Sequence, residues 1–145
     1  MYGPHLIVEG YDTPKRNLQG VGQIYTMLDK FPGVIGMHQI MPPHVQKYLG
    51  PGCAEWGISG FVIIAESHIA IHTYPEKGFF ALDVFSCKDF DADKAIRYVV
   101  GKLSPGRYEH RLFNRGEDYP KDIVESARII GADRRRFRKV ASVQG

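Results

Sequence analysis

Residues 66–87 read ESHIAIHTYPEKGFFALDVFSC and concentrate side chains that can react or transfer protons. Ser67 follows Glu66, His72 lies five residues further on, and Cys87 closes the stretch. A serine hydroxyl is a weak nucleophile until a base or a strained geometry activates it, and a nearby histidine is the usual base. We therefore expect this stretch to form the functional centre, with the rest of the chain positioning it.

The hydroxyl of Ser67 is within reach of the carbonyl carbon that precedes it in the chain. Attack there converts the amide to an ester, and removal of the Ser67 α-proton then eliminates the upstream chain. Loss of ammonia leaves a pyruvoyl group, a ketone that can form a Schiff base with a substrate amine and act as an electron sink. The residue types alone do not establish this chemistry, because a serine or histidine in a strand is usually structural and a strand cysteine usually packs as a small apolar residue.

Two consecutive strands, 57–66 and 67–73, are predicted to carry these side chains. The first is almost continuously apolar, and the second alternates between apolar and polar residues. A spacing of five is odd, so a regular strand would place Ser67 and His72 on opposite faces. We expect a bend or bulge at Glu66-Ser67 that brings them together.

The remaining elements are predicted from hydrophobic periodicity and turn residues. Further strands are predicted at 5–11, 34–41, 79–87 and 107–113, helices at 18–30, 91–103 and 120–130, and a loop at 42–56. A loop of about fifteen residues suggests a binding role. Because repeated βαβ units are lacking, we expect an α+β fold, a two-layer α/β sandwich with a mainly antiparallel sheet and helices on one face.

The composition, 43% apolar and 24% charged, is typical of a soluble globular domain. We expect a single domain over 1–130, followed by a basic tail, 131–145. The tail contributes more positive charge than the whole net charge of +3. We interpret it as a solvated terminus rather than a nucleic-acid site, because no stacking platform or helix-turn-helix pattern accompanies it.

The compartment is also predicted from the sequence. No apolar run approaches the roughly 20 residues that span a bilayer, and the amino terminus lacks a signal peptide. Cys53 and Cys87 are far apart, which favours free thiols and a cytoplasmic location. His68 and His72 share a strand face, but without an evident third ligand we expect no metal site.

The central stretch resembles the prokaryotic S-adenosylmethionine decarboxylases, self-processing pyruvoyl enzymes of the polyamine pathway. Their hallmark is an ESH-x-x-IHT-x-PE segment followed by a D-x-F-x-C strand, and both halves stand here at the family spacing. The similarity runs from residue 57 to about residue 100, and more weakly over 5–9. It implies cleavage between Glu66 and Ser67, a pyruvoyl cofactor formed from Ser67, decarboxylation of S-adenosylmethionine, and a homodimer whose sites form between chains.

The resemblance also implies roles for individual residues. His72 would assist processing, as would Ser59 in the motif GISG, where the family reads GVSG. Cys87 matches the thiol that returns a proton to the substrate carbon after carbon dioxide leaves. Glu76 matches the carboxylate that holds the ribose hydroxyls.

The chain departs from the family upstream of these motifs. No phenylalanine stands where the family has an aromatic residue that stacks on the substrate, so Trp56 or Tyr48 could take that role, or Trp56 could be only a core anchor. The first strand also differs, because residues 9–12 read EGYD where the family often reads DLYGC.

Because of these departures, the sequence does not decide which substrate is decarboxylated. Pyruvoyl enzymes on this scaffold also decarboxylate ornithine or arginine, substrates that need a carboxylate for their distal cation. Glu76 favours S-adenosylmethionine, which we prefer, while Glu55 keeps a basic amino acid as the alternative. A non-catalytic relative that stays uncleaved and acts as a partner protein is disfavoured, because the reactive residues are all in place.

Overall fold

The structure is a computed structural model that describes residues 3–51, 55–65 and 67–117 and the single positions 124, 127 and 128. Its centre is a six-stranded sheet in the order β2-β3-β4-β5-β1-β6, and each neighbouring pair is antiparallel. The predicted α+β class and antiparallel sheet are confirmed. The elements are β1 (Gly3–Tyr11), α1 (Val21–Val34), β2 (His44–Leu49), β3 (Trp56–Ile64), β4 (Ser67–Tyr74), β5 (Phe79–Phe85), α2 (Ala92–Leu103) and β6 (Arg107–Arg115).

The sheet has one covered and one uncovered face. Alternate residues of β1, β3, β4 and β5 are buried in a single cluster with the apolar stripes of α1 and α2, as the period-two pattern of strands requires. The opposite side, called the outer face below, carries Phe61, His72 and Asp83, and no described element packs over it. Neither described helix has the length and apolar character needed to cross a bilayer.

Helix α1 runs past its predicted end at residue 30. Phe31 and Pro32 are buried against the core, so packing outweighs the helix-breaking tendency of Pro and Gly in this last turn. The strand predicted over 34–41 is therefore wrong. Within that range only Gln39 pairs with the sheet, through an isolated bridge to Ile64.

The predicted loop 42–56 contains strand β2, which pairs along β3 at the edge of the sheet. Five of its six residues are exposed and only Val45 is half-buried. An edge strand with little burial carries no apolar alternation, so the sequence pattern gave no sign of it. Residues 44–49 are therefore held to β3 by backbone hydrogen bonds.

Helix α2 matches its prediction. The carboxylate of Asp91 accepts a hydrogen bond from the backbone N–H of Lys94 at 2.9 Å, as expected of an N-cap residue. Of the predicted helix 120–130, only positions 124, 127 and 128 are among the described residues, and the basic tail 131–145 lies outside them.

Gly57 in the GISG motif allows β3 to approach β4. A Cβ atom at this position would lie 2.1 Å from the carbonyl oxygen of Thr73, far inside contact distance. We expect Gly57→Ala to lower the free energy of unfolding by about 1–3 kcal/mol, measured by urea denaturation. The control is Gly22→Ala on α1, where a Cβ meets nothing within 4 Å, and where alanine should raise stability by about 0.5–1 kcal/mol. Equal stabilities of the two variants would contradict this reading.

Candidate active site

Ser67 and Cys87 lie side by side where β4 begins and the chain leaves β5. The pairing of His68 with Phe85 brings these two ends together. The Oγ atom of Ser67 is 3.4 Å from the Sγ atom of Cys87, and both residues are half-buried. This Ser67–Cys87 pair brings a hydroxyl and a thiol into contact at the two positions for which the resemblance implies a nucleophile and a proton donor.

The junction before Ser67 is short. Ile64 of β3 pairs directly with Ser67, so only positions 65 and 66 separate the two strands, and Glu66 lies outside the described residues. The pairing of 58–64 with 67–73 continues without a change of register. The part of the expected bulge that would fall on Ser67 is therefore absent, and β4 is regular from its first residue.

Ser59 and His72 form a second pair, on the outer face. They are directly opposite each other in the ladder of β3 and β4, and Oγ of Ser59 lies 2.8 Å from Nδ1 of His72. The imidazole is otherwise exposed. In this Ser59–His72 pair the hydroxyl orients the imidazole ring, and an exposed, oriented imidazole can act as a general base.

The two pairs are far apart within one chain. Five residues of regular strand separate Ser67 from His72, a span of roughly 17 Å at about 3.3 Å per residue. The expectation that a bend brings these two side chains together is not met within a single chain. A reaction step that uses both Ser67 and His72 cannot take the two side chains from one chain in this arrangement.

A pocket opens beside the Ser59–His72 pair, at the far end of β4 from Ser67. It is lined by all three predicted substrate-binding residues, Trp56, Tyr48 and Glu76, together with Tyr74 and Glu55. Its volume is about 170 Å³, below the roughly 300–1,000 Å³ of small-molecule sites. One chain therefore supplies only part of an enclosed site.

Two contacts from residues distant in the sequence hold the carboxylate of Glu76. The indole Nε1–H of Trp56 donates to its Oε1 atom at 3.1 Å, and Nζ of Lys15 donates to the same atom at 2.5 Å. These hydrogen bonds, that of Lys15 first, lower the pKa of Glu76 below its ordinary value. Trp56 is thus part of the pocket wall rather than a buried core anchor.

Among the described residues, three lysines contact side chains that line this pocket, and none was singled out from the sequence. Besides Lys15, Nζ of Lys47 lies 4.5 Å from the centroid of the Trp56 indole, and Nζ of Lys77 lies 3.4 Å from Oε1 of Glu55. Lys15 is in a short 3₁₀ turn far from Glu76 in the chain. No local spacing could have indicated the contact.

A second group missed from the sequence lies on the outer face next to Ser67. The Nε2 atoms of His5 and His68 lie 3.3 and 2.8 Å from the same Oδ2 atom of Asp83. A carboxylate only accepts, so both Nε2 atoms carry hydrogen, and the Arg115 guanidinium 3.5 Å from Nδ1 of His5 disfavours a second proton on that ring. Burial, the largest cause, lowers the pKa of His5 accordingly.

The Asp83 contacts anchor the residue that follows Ser67. They do not form a metal centre, and no cluster of three or more His, Cys, Asp or Glu side chains in the described part of the chain could hold a metal ion. His68, the residue after Ser67, is therefore held in place by Asp83.

Comparison with known proteins gives consistent matches. Residues 4–116 match the family S-adenosylmethionine decarboxylase. The S-adenosylmethionine decarboxylase proenzyme of Thermococcus onnurineus is 53% identical over 55 residues, which cover 37% of this chain and 38% of that protein. The arginine decarboxylase proenzyme of Pyrobaculum arsenaticum is 33% identical over 107 residues, covering 73% of this chain and 78% of that protein.

The solved structures agree with the sequence matches. The crystal structure of the adenosylmethionine decarboxylase from Aquifex aeolicus superposes with a TM-score of 0.66 at 28% identity, covering 79% of this chain and 90% of that one. The aligned stretch spans well under half the length of the Thermococcus relative. Since the family match covers nearly the whole sheet, from β1 to β6, the chain belongs to the S-adenosylmethionine decarboxylase family.

Proposed function

We propose that this chain is a proenzyme that cleaves itself between Glu66 and Ser67 and then uses the resulting pyruvoyl group to decarboxylate S-adenosylmethionine. The Ser67–Cys87 pair carries the proposal. Its hydroxyl stands at the first position of β4, where processing requires the nucleophile, and its thiol stands where turnover requires a proton donor.

Processing balances with one water consumed and one ammonia released. Oγ of Ser67 attacks the carbonyl carbon of residue 66, the peptide nitrogen leaves with the hydroxyl proton, and an ester replaces the amide. A base then removes the Ser67 α-proton, the Cβ–O bond breaks, and the carboxylate of residue 66 departs. Water finally displaces the amino nitrogen as ammonia and leaves a ketone at position 67.

The position of the scissile bond makes cleavage compatible with the fold. It lies in the junction between β3 and β4, so cleavage cuts a connection and leaves the pairing of both strands intact. β4 stays hydrogen-bonded between β3 and β5, and the contact of His68 with Asp83 holds the residue next to the new chain end. The cofactor would therefore form on a rigid element.

The remaining residues bind substrate and handle its proton. The pyruvoyl carbonyl supplies an electron sink for loss of carbon dioxide. Sγ of Cys87 carries the proton that returns to the substrate carbon. Glu76 accepts hydrogen bonds from the ribose hydroxyls, and Trp56 and Tyr48 offer aromatic faces to the adenine. The product is an aminopropyl donor for polyamine synthesis, made in the cytoplasm, where thiols stay reduced.

The separation of the two pairs supports a homodimer. A second copy, related by a two-fold axis through the middle of the outer face, would bring its Ser59–His72 pair and its pocket to the end of β4 at which the Ser67–Cys87 pair of the first copy lies. The outer face is available for this contact, since both described helices pack on the other side of the sheet. The composite arrangement supplies the base and pocket volume that one chain lacks.

Arginine is the second candidate substrate, and one observation favours it. The arginine decarboxylase proenzyme of Pyrobaculum arsenaticum aligns with this chain over a longer stretch than the Thermococcus S-adenosylmethionine decarboxylase proenzyme does, although at lower identity. A shared scaffold and processing site are compatible with either substrate, because the pocket is separate from the Ser67–Cys87 pair.

Release of carbon dioxide from S-adenosylmethionine, ornithine and arginine at equal concentration tests this function. We expect the cleaved protein to act on S-adenosylmethionine. Activity on arginine or ornithine alone would overturn the substrate assignment. A fully cleaved protein that is inactive on all three would overturn the enzymatic proposal.

A further inference from the structure

We propose that Lys15 is a specificity-determining residue that excludes the basic amino acids from the pocket while leaving it open to an adenosyl group. This role of Lys15 rests on the proposed function, because it concerns which substrate the proposed enzyme accepts. Lys15 belongs to the short turn Lys15–Asn17, and its ammonium group donates a hydrogen bond to Oε1 of Glu76 at 2.5 Å.

A basic amino acid needs a carboxylate for its distal cation, and guanidinium groups bind carboxylates best through two parallel hydrogen bonds. The acids that line the pocket are Glu76 and Glu55. Each is already paired with a lysine, Glu76 with Lys15 and Glu55 with Lys77. A guanidinium entering at Glu76 would therefore be placed against the Lys15 ammonium.

A ribose diol meets no such conflict. Lys15 and Trp56 both bond to Oε1 of Glu76, and a carboxylate has about four lone-pair sites on its two oxygens. A neutral hydroxyl can donate to this group without bringing a second positive charge beside Lys15.

Lys15 is a stronger candidate than the two other lysines at the pocket. The contact of Lys77 with Glu55 is longer, 3.4 Å, and three quarters of the Glu55 side chain is exposed. Lys47 contacts the face of the Trp56 indole rather than one of the two pocket carboxylates. Of these three lysines, Lys15 is the one that bonds to Glu76, the acid that the family resemblance links to the ribose.

The test uses two probes that lack a carboxylate and so cannot be decarboxylated during the measurement. Agmatine represents the guanidinium group, and 5′-methylthioadenosine represents the adenosyl group. Binding of each to the purified processed protein is measured by titration calorimetry. Removal of one like charge about 4 Å away should tighten agmatine binding to Lys15→Met about fivefold and leave methylthioadenosine binding within about twofold. Lys15→Arg keeps the charge and should match the wild type.

Lys30→Met on α1 is the matched control, because it removes an exposed lysine outside the pocket. It should leave both dissociation constants unchanged. An agmatine affinity that is unchanged or weaker in Lys15→Met, or equal shifts for both probes, would overturn the role of Lys15. Failure of the proposed function is seen separately, as absence of carbon dioxide release from S-adenosylmethionine by the wild type.

Discussion

Replacement of Ser67 by Ala is expected to stop both chain cleavage and decarboxylation. Without Oγ there is no nucleophile for the acyl shift and no source for the ketone. The rate of carbon dioxide release should fall by at least about 10⁶-fold, the lower end of enzymatic rate enhancements. Denaturing gels should show one full-length chain where the wild type shows two fragments.

Loss of a single half-buried hydroxyl should not unfold the protein, and circular dichroism checks this directly. Thr26→Ala is the control, because it removes a hydroxyl from the exposed side of α1, away from both pairs. It should cleave and turn over like the wild type. Cleavage at the same bond in a folded Ser67→Ala protein would contradict the assigned nucleophile.

Mixed dimers of Ser67→Ala and His72→Gln chains are expected to recover cleavage. Each variant alone should process poorly, His72→Gln by about 10²–10⁴-fold if its imidazole is the base. In a mixed dimer the His72→Gln chain keeps its own Ser67 and gains the intact Ser59–His72 pair of the other copy. That chain alone should then be cleaved, because roughly 17 Å separates Ser67 from His72 within one chain.

Chains with two different affinity tags allow mixed dimers to be isolated and each chain to be followed on a denaturing gel. The control replaces the first partner by a chain that carries both Ser67→Ala and His72→Gln, which offers no intact pair to its neighbour. With this partner, the His72→Gln chain should stay uncleaved. Equal cleavage of the His72→Gln chain with either partner would show that the base does not come from the second copy.

The sequence predicted most of the sheet and the second helix. The alternation of β4 and β5 and the stripe and N-cap of α2 are local patterns, and the structure reproduces them. Strand β2 was missed because an exposed edge strand has no such pattern. The last turn of α1 was missed because burial of Phe31 and Pro32 is a tertiary effect.

The candidate site was predicted in part. The sequence singled out Ser67, Cys87, Ser59 and His72 but placed Ser67 beside His72. In the structure, strand register instead places Ser67 beside Cys87 and Ser59 beside His72. The distance between the two pairs follows from the regularity of β4, which the sequence pattern did not fix. The contact of Lys15 with Glu76 joins a turn to a distant hairpin, and only the folded structure shows it.

The central claim is that the chain makes its own cofactor, and denaturing mass spectrometry of the intact wild-type protein tests it most directly. The account predicts two fragments, residues 1–66 and 67–145. The second should be lighter, by the mass of one ammonia, than a fragment that begins with serine. A chain that stays whole, or a second fragment with an ordinary amino-terminal Ser67, would contradict the account.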